Sequence, residues 1–175
     1  MADKIIVLSG KQFSGKDTVA KILLEKLSGF RRIGLGDAIK IEYSNQTGLT
    51  LEEIENNKSV YRPDLIALGD KGRAMDPDFW LKFVVQQEGN IIVPDVRMPR
   101  EYDVFKQNNA YRIRVESSEK ARAQRGQLVK SDDTTEVALD GVSDWSYVIQ
   151  NESTYEALVD ACEELLADIK NYFKI

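Results

Sequence analysis

Lys4-Ile-Ile-Val-Leu-Ser-Gly-Lys-Gln-Phe-Ser-Gly-Lys-Asp17 is the stretch whose reading decides the fold. The apolar run Ile5 to Leu8 has the length of a buried strand and stops at Ser9 and Gly10. Gly10 and Gly15 then bracket four residues, Lys16 follows, and an amphipathic helical pattern begins behind it. Strand, glycine-punctuated loop and helix start are the parts of a phosphate-binding loop. Glycines at both ends let successive N–H groups turn into one concave site, with Lys11 and Ser14 between them. The helix start adds partial positive charge, and Lys16 adds a full one toward the β- and γ-phosphates. Such loops usually carry Ser or Thr after the lysine to hold Mg²⁺, whereas this chain has Asp17 with Thr18 behind it. Asp17 either reaches the metal, directly or through water, or caps the helix.

The bulk numbers narrow the chemistry. At 175 residues the chain suits one domain with a substantial core, residues 1–175. A net charge of −5 supplies no broad basic field, so no nucleic-acid partner is expected. The N-terminal apolar run is too short for a signal peptide or a membrane span, and a cytoplasmic monomer is expected. A single cysteine, Cys162, excludes an intramolecular disulfide and falls on the apolar face of a helix. The chain has no histidine. Histidine bases, Ser-His-Asp triads and histidine metal sites are thereby excluded, and any chemistry rests on carboxylates, Lys, Arg and an oxygen-ligated metal.

Beyond the loop, Val19, Leu23, Leu24 and Leu27 mark a helix ending near Ser28-Gly29. Arg31 to Leu35 reads as a second strand, and Asp37 as the N-cap of a helix broken by Gly48. Thr50 and Glu53 have the spacing of a capping box. Leu65, Ile66 and Leu68 mark a helix ending near Gly72, and Asp76-Pro77 reads as the N-cap and first residue of the next. Ile91 to Asp95 is a short strand that Pro94 should end. A helix over 99–107, a strand over 111–115, a helical stretch over 117–125 and a strand over 145–149 follow. The clearest helix is last, with apolar residues at 155, 158, 159, 162, 165, 166, 169 and 173. Strands alternating with helices predict a parallel sheet covered on both faces. The mostly helical stretch 37–88 between the first two long strands is the expected acceptor-binding insertion.

Three further groups carry possible chemistry. Asp95, at a strand end near the loop, suits Mg²⁺ or its waters, and Arg97 and Arg100 behind it suit phosphate oxygens. Lys120, Arg122 and Arg125, next to Gly126 and the polar run Ser131-Asp132-Asp133, suit a small lid over 117–135 that closes on a transferring group. Arg62, Lys71 and Arg73 are candidates for an anionic acceptor. Each cluster also fits a solvated surface.

Together these residues resemble the animal-type phosphomevalonate kinases. Ser9-Gly10-Lys11 and Ser14-Gly15-Lys16-Asp17 match that family's loop, and Tyr61-Arg62, Asp64, Gly69, Arg73 and Asp76-Pro77-x-Phe79-Trp80 match its helical stretch. Asp95-Val-Arg97 is similar to its Asp-Thr-Arg-Arg, with Met98 where the family has a second arginine. Gln124-Arg125-Gly126 resembles its lid, and Asp132-Asp133, Glu136, Leu139-Asp140, Asp144-Trp145 and Asn151 follow its pattern. Phage-type deoxynucleoside monophosphate kinases are similar too, above all in Val93-Pro94-Asp95-x-Arg97. Both resemblances imply an α/β three-layer P-loop kinase fold and ATP-dependent transfer to a phosphate monoester. Lys16, Arg97 and Arg125 would be catalytic. Gly10, Lys11, Ser14, Gly15, Asp17 and Thr18 would hold the nucleotide, with Asn151 near the adenine. Asp17, Thr18 and Asp95 would hold Mg²⁺, while Arg62, Arg73, Arg97 and Arg100 would bind the acceptor. Phosphomevalonate is the first expected acceptor and a deoxynucleoside monophosphate the second. A nucleotide-binding regulatory protein is the reading from another class, although the guanine motif Asn-Lys-x-Asp is absent from the sequence.

Overall fold

The computed structural model describes residues 1–129 and 133–175, so the expected lid residues Ser131 and Asp132 lie outside the described residues. Among the described residues, five strands form one parallel sheet in the order β2-β3-β1-β4-β5. They are β1 (Lys4–Ser9), β2 (Phe30–Arg32), β3 (Asn90–Val93), β4 (Tyr111–Glu116) and β5 (Tyr147–Gln150). Side chains alternate across a strand, and both faces of β1 are apolar, so both are covered. Ile6 and Leu8 pack with α1 (Lys16–Lys26) and with Cys162, Leu165 and Ile169 of the C-terminal helix (Tyr155–Phe173). Ile5 and Val7 face the opposite layer, which contains Trp80, Val84 and Phe105. Cys162 is buried in the first of these layers as a core residue, and burial pushes its thiol up to about 11.

β1 pairs with β3 on one side and β4 on the other, so the chain reverses its winding direction at β1. In an open parallel sheet, that switch leaves a crevice at the strand C-termini, and the 10–16 loop begins there. The stretch between β2 and β3 holds α2 (Leu35–Thr47), α3 (Leu51–Asn56), α4 (Lys58–Met75) and α5 (Phe79–Val85). α6 (Pro99–Gln107), α7 (Glu119–Arg125), α8 (Thr134–Val137) and α9, the C-terminal helix, complete the order.

Several boundaries move for identifiable reasons. β2 ends at Arg32, because Gly34 caps α2 and the helix starts at Leu35. Asp37 is therefore not the N-cap: it lies in the first turn, and its carboxylate accepts a hydrogen bond from Gly34 N at 2.8 Å. Asp78 rather than Asp76 caps α5, with Asp76 accepting from Asp78 N at 2.9 Å. α4 runs past Gly72 to Met75, because Gly72 packs beneath Trp80 and is part of the helix. The Thr50–Glu53 capping box forms as read, with Thr50 Oγ1 accepting from Glu53 N at 3.1 Å and Glu53 Oε2 accepting from Thr50 N at 2.8 Å.

Two helical glycines separate packing from chain entropy. A Cβ on Gly72 would lie 2.8 Å from the Trp80 ring, whereas one on Gly36 would meet nothing within 4 Å. Gly72→Ala should lower stability by about 1–3 kcal/mol through overpacking. Gly36→Ala should raise it by up to about 1 kcal/mol by restricting the unfolded chain. Urea midpoints at constant slope measure both, and equal shifts for the two variants would contradict this packing account.

Candidate active site

The loop geometry follows from what its glycines touch. A Cβ on Gly10 would lie 2.4 Å from Ser14 Oγ and 2.6 Å from Val115 O, so only glycine permits the turn to close on β4. Gly15 adopts φ 97°, and a Cβ there would lie 2.3 Å from Asn151 Nδ2. Asn151 is buried at the end of β5 and donates from Nδ2 to Ser14 O at 2.8 Å. This amide braces the loop from behind, a role the sequence did not suggest for it. The first α1 hydrogen bond runs from Val19 N to Gly15 O at 2.9 Å, leaving the amides before it without a helical acceptor.

An open cleft of about 440 Å³ lies against this loop and is lined by Lys16, Asp17, Thr18, Arg97 and Arg125 among others. Lys16 is buried. Burial is the largest effect and lowers its pKa, Arg97 adds to the lowering, and Asp17, Glu136 and Asp95 oppose it. Arg97 donates from Nη1 to Glu136 Oε1 at 3.1 Å. Arg125 is held by Ser117 Oγ at 2.8 Å, Asn151 O at 2.8 Å and Phe13 O at 3.1 Å. Three sequence-distant cations thus converge on the loop. A set of cations around a glycine loop is suited to bind phosphates and to stabilise charge on a transferring phosphoryl group.

Other expected site residues do not line this cleft. Both carboxylate oxygens of Asp95 accept from Leu35 N at 3.0 Å, so Asp95 also serves as the cap of α2. Arg100 is committed to Asp78, donating from Nε at 2.9 Å and from Nη2, and does not line the cleft. Lys11 pairs with Asp140 at 2.7 Å. Arg62 is exposed on α4, and Arg73 pairs with Asp70 at 2.6 Å, so neither reaches the cleft as the helices stand. Lys71 and Lys120 are exposed, whereas Arg122 is buried and donates to Gln12 O at 3.4 Å.

Residues without an assigned role in the sequence prove central. Gln12 N donates to Glu136 Oε2 at 2.8 Å, and the Gln12 side chain clasps the Val129 backbone through Nε2 at 2.7 Å and Oε1 at 3.1 Å. Asp140 holds Lys11 and, at 2.8 Å, Arg114. No local spacing in the sequence marks these pairings, since Asp140 lies beyond the end of α8.

Fold and cleft together define a P-loop kinase, an ATP-dependent phosphotransferase acting on a small molecule. Shikimate kinase from Acinetobacter baumannii in complex with shikimate shares the fold, with a TM-score of 0.53 and 17% identity over 96% of this chain and 93% of that one. A gluconokinase from Sinorhizobium meliloti 1021 does so with a TM-score of 0.53 and 16% identity, covering 98% and 94%. The phosphomevalonate kinase family model matches residues 8–111, more than half of the chain, and the chain belongs to that family. The phosphomevalonate kinase of Drosophila melanogaster is 28% identical over 138 residues, which cover 70% of this chain and 72% of that protein.

Burial, the largest influence on Asp95, raises its pKa against the opposing Leu35 N–H bond. A carboxyl group raised on folding contributes stability below its unfolded pKa of about 3.9, and that contribution fades as pH rises through the higher folded value. Asn fixes the neutral form and can still accept from Leu35 N. Asp95→Asn should therefore gain stability over the wild type as pH rises from about 4 to 7. Denaturation midpoints across that range check it, and a gap that widens in favour of the wild type would show that the hydrogen bonds outweigh burial.

Proposed function

We propose that this protein transfers the γ-phosphoryl group of ATP to the phosphate of phosphomevalonate. The observation that carries the reading is the convergence of Lys16, Arg97 and Arg125 on the glycine loop, within a chain of the phosphomevalonate kinase family. An acceptor phosphate oxygen attacks Pγ, the bond from Pγ to the β–γ bridging oxygen breaks, and ADP leaves as the diphosphate forms. The second ionisation of a phosphate monoester falls near pH 6, so the nucleophile is already charged at neutral pH and requires no strong base. The lack of histidine fits such chemistry.

Lys16 and the loop amides bind the β- and γ-phosphates in this reading, and Arg97 and Arg125 meet the transferring group. Mg²⁺ suits the donor set: Asp17 and Thr18 line the cleft, Asp95 lies near Lys16, and a hard cation needs few protein oxygens beside the phosphates. Bound there, it would neutralise charge on the phosphates. We read the chain as one kinase domain, with the 37–88 segment carrying the acceptor and α7, which supplies Arg125, beside the ATP phosphates. Arg62 and Arg73 then approach the cleft as the helical segment closes, with Arg73 exchanging Asp70 for the acceptor. Two separated cations suit a molecule with a carboxylate at one end and a phosphate at the other.

Lys16→Ala should keep the fold and lower kcat/KM by about 10²–10³-fold, the usual loss for one preorganised electrostatic contact. Circular dichroism and steady-state rates check it, and a loss below about tenfold would remove Lys16 from the phosphate site. Offered phosphomevalonate and the deoxynucleoside monophosphates in parallel, the protein should turn over phosphomevalonate. Arg62→Ala and Arg73→Ala should each raise its KM with little change in kcat. A higher kcat/KM for a deoxynucleotide would replace the acceptor assignment.

A further inference from the structure

Glu136 is 8% exposed, and its two carboxylate oxygens are engaged by different parts of the site. Oε2 accepts from Gln12 N of the loop at 2.8 Å, and Oε1 accepts from Arg97 Nη1 at 3.1 Å. One carboxylate therefore ties the loop to an arginine delivered from the end of β3. A buried carboxylate is stable only when charge-assisted hydrogen bonds replace its water, and these two bonds supply that. Its position is fixed from below. Asp133 caps α8 by accepting from Thr135 N at 3.0 Å, Leu139 is buried in the core, and Asp140 one turn later grips Lys11 and Arg114.

A carboxylate has no attraction for a phosphate and repels one nearby, so a benefit from Glu136 must act through the cation it holds. Arg97 has several rotatable bonds and lies at the edge of an open cleft. Bound to Glu136 through one N–H, it keeps its other guanidinium donors for phosphoryl oxygens. The Gln12 bond adds direction, because it references the guanidinium to the loop that would hold the phosphates.

We propose that Glu136 is a positioning residue that holds Arg97 over the phosphate loop for the phosphoryl-transfer step. This rests on the reading of Arg97 as a cation for the transferring group. Preset geometry helps most where charge develops, so its loss falls on kcat rather than on ATP binding.

The test is a double-mutant cycle on the full chain with Glu136→Gln, Arg97→Ala and the pair. Turnover is measured with whichever acceptor the protein uses, or as ATP hydrolysis if it uses none. Arg97 meets the γ-phosphoryl group in either case, so a wrong acceptor assignment leaves the cycle readable. ATP affinity is measured separately by equilibrium titration, and Glu136→Asp provides a second variant that keeps the charge but shortens the reach. Glu136→Gln should lower kcat about tenfold to a hundredfold, the range a misplaced catalytic group can cost, and leave ATP affinity little changed. In the Arg97→Ala background the same substitution should cost nothing further. Equal losses in both backgrounds would overturn the proposal, as would unchanged turnover. Tighter ATP binding without loss of kcat would also overturn it, showing Glu136 to be an anion that competes with phosphate.

Discussion

Crowding cations at one end of a sheet is the constraint on which this structure depends. Lys11, Lys16, Arg97, Arg114, Arg122 and Arg125 all gather near the C-terminal ends of β1, β3 and β4, where a polyphosphate would supply the counter-charge. Without it they repel one another, and Arg97 is among the groups that lower the pKa of Lys16. The protein answers with internal acceptors. Asp140 takes Lys11 and Arg114, Glu136 takes Arg97, and the carbonyls of Phe13, Asn151 and Gln12 take Arg125 and Arg122. Most of these acceptors belong to the loop itself or to the segments beside it, so satisfying the cations also fixes the loop. Stability and site geometry are the same set of bonds.

That coupling extends to the scaffold. Asn151 ends β5 and supports Ser14 O, while Val115 O of β4 closes against Gly10, so two strands on one side define the loop from behind. On the other side Asp95 receives Leu35 N, joining the end of β3 to the start of the helical segment. The helices proposed to carry the acceptor are thus anchored beside the cleft at their first residue. The segment is also tied within itself, with Trp80 Nε1 of α5 donating to Gly69 O of α4 at 3.0 Å.

What could be read in the sequence was what depends on near neighbours. The loop, the apolar strand before it and the Thr50–Glu53 box are set within a few residues, and each formed as read. The parallel sheet was legible because strand runs alternate with helical ones. Charge pairing was not. Arg100 and Asp78 are 22 residues apart, Arg97 and Glu136 are 39 apart, and Gln12 and Glu136 are 124 apart. No periodicity encodes such partners, so a run of arginines after Asp95 looks uniform until the fold supplies acceptors. The misread caps share another cause. Asp37 and Asp76 lie within three residues of the true N-caps and bond to the same turns, so residue type alone does not separate the cap from its neighbour.

The number and charge of those acceptors sort the arginines by what they can do. Arg100 spends two donors on one carboxylate in a fork-on-fork pairing, which consumes both its geometry and its charge. As the helices stand, that pairing joins α6 to the start of α5. Arg97, three residues earlier, gives a single bond to Glu136 and retains donors toward the cleft. Arg125 is held at three points, but every acceptor is a carbonyl or a hydroxyl. Neutral acceptors fix its direction without a direct ion pair, although the nearby Glu152 carboxylate interacts with its charge. An anion entering the cleft therefore meets Arg125, whose hydrogen-bond acceptors are all neutral, and Arg97, which is bonded to a carboxylate. Arg125 is suited to draw phosphate in, and Arg97 to gain strength only as negative charge grows on the transferring group and competes with Glu136.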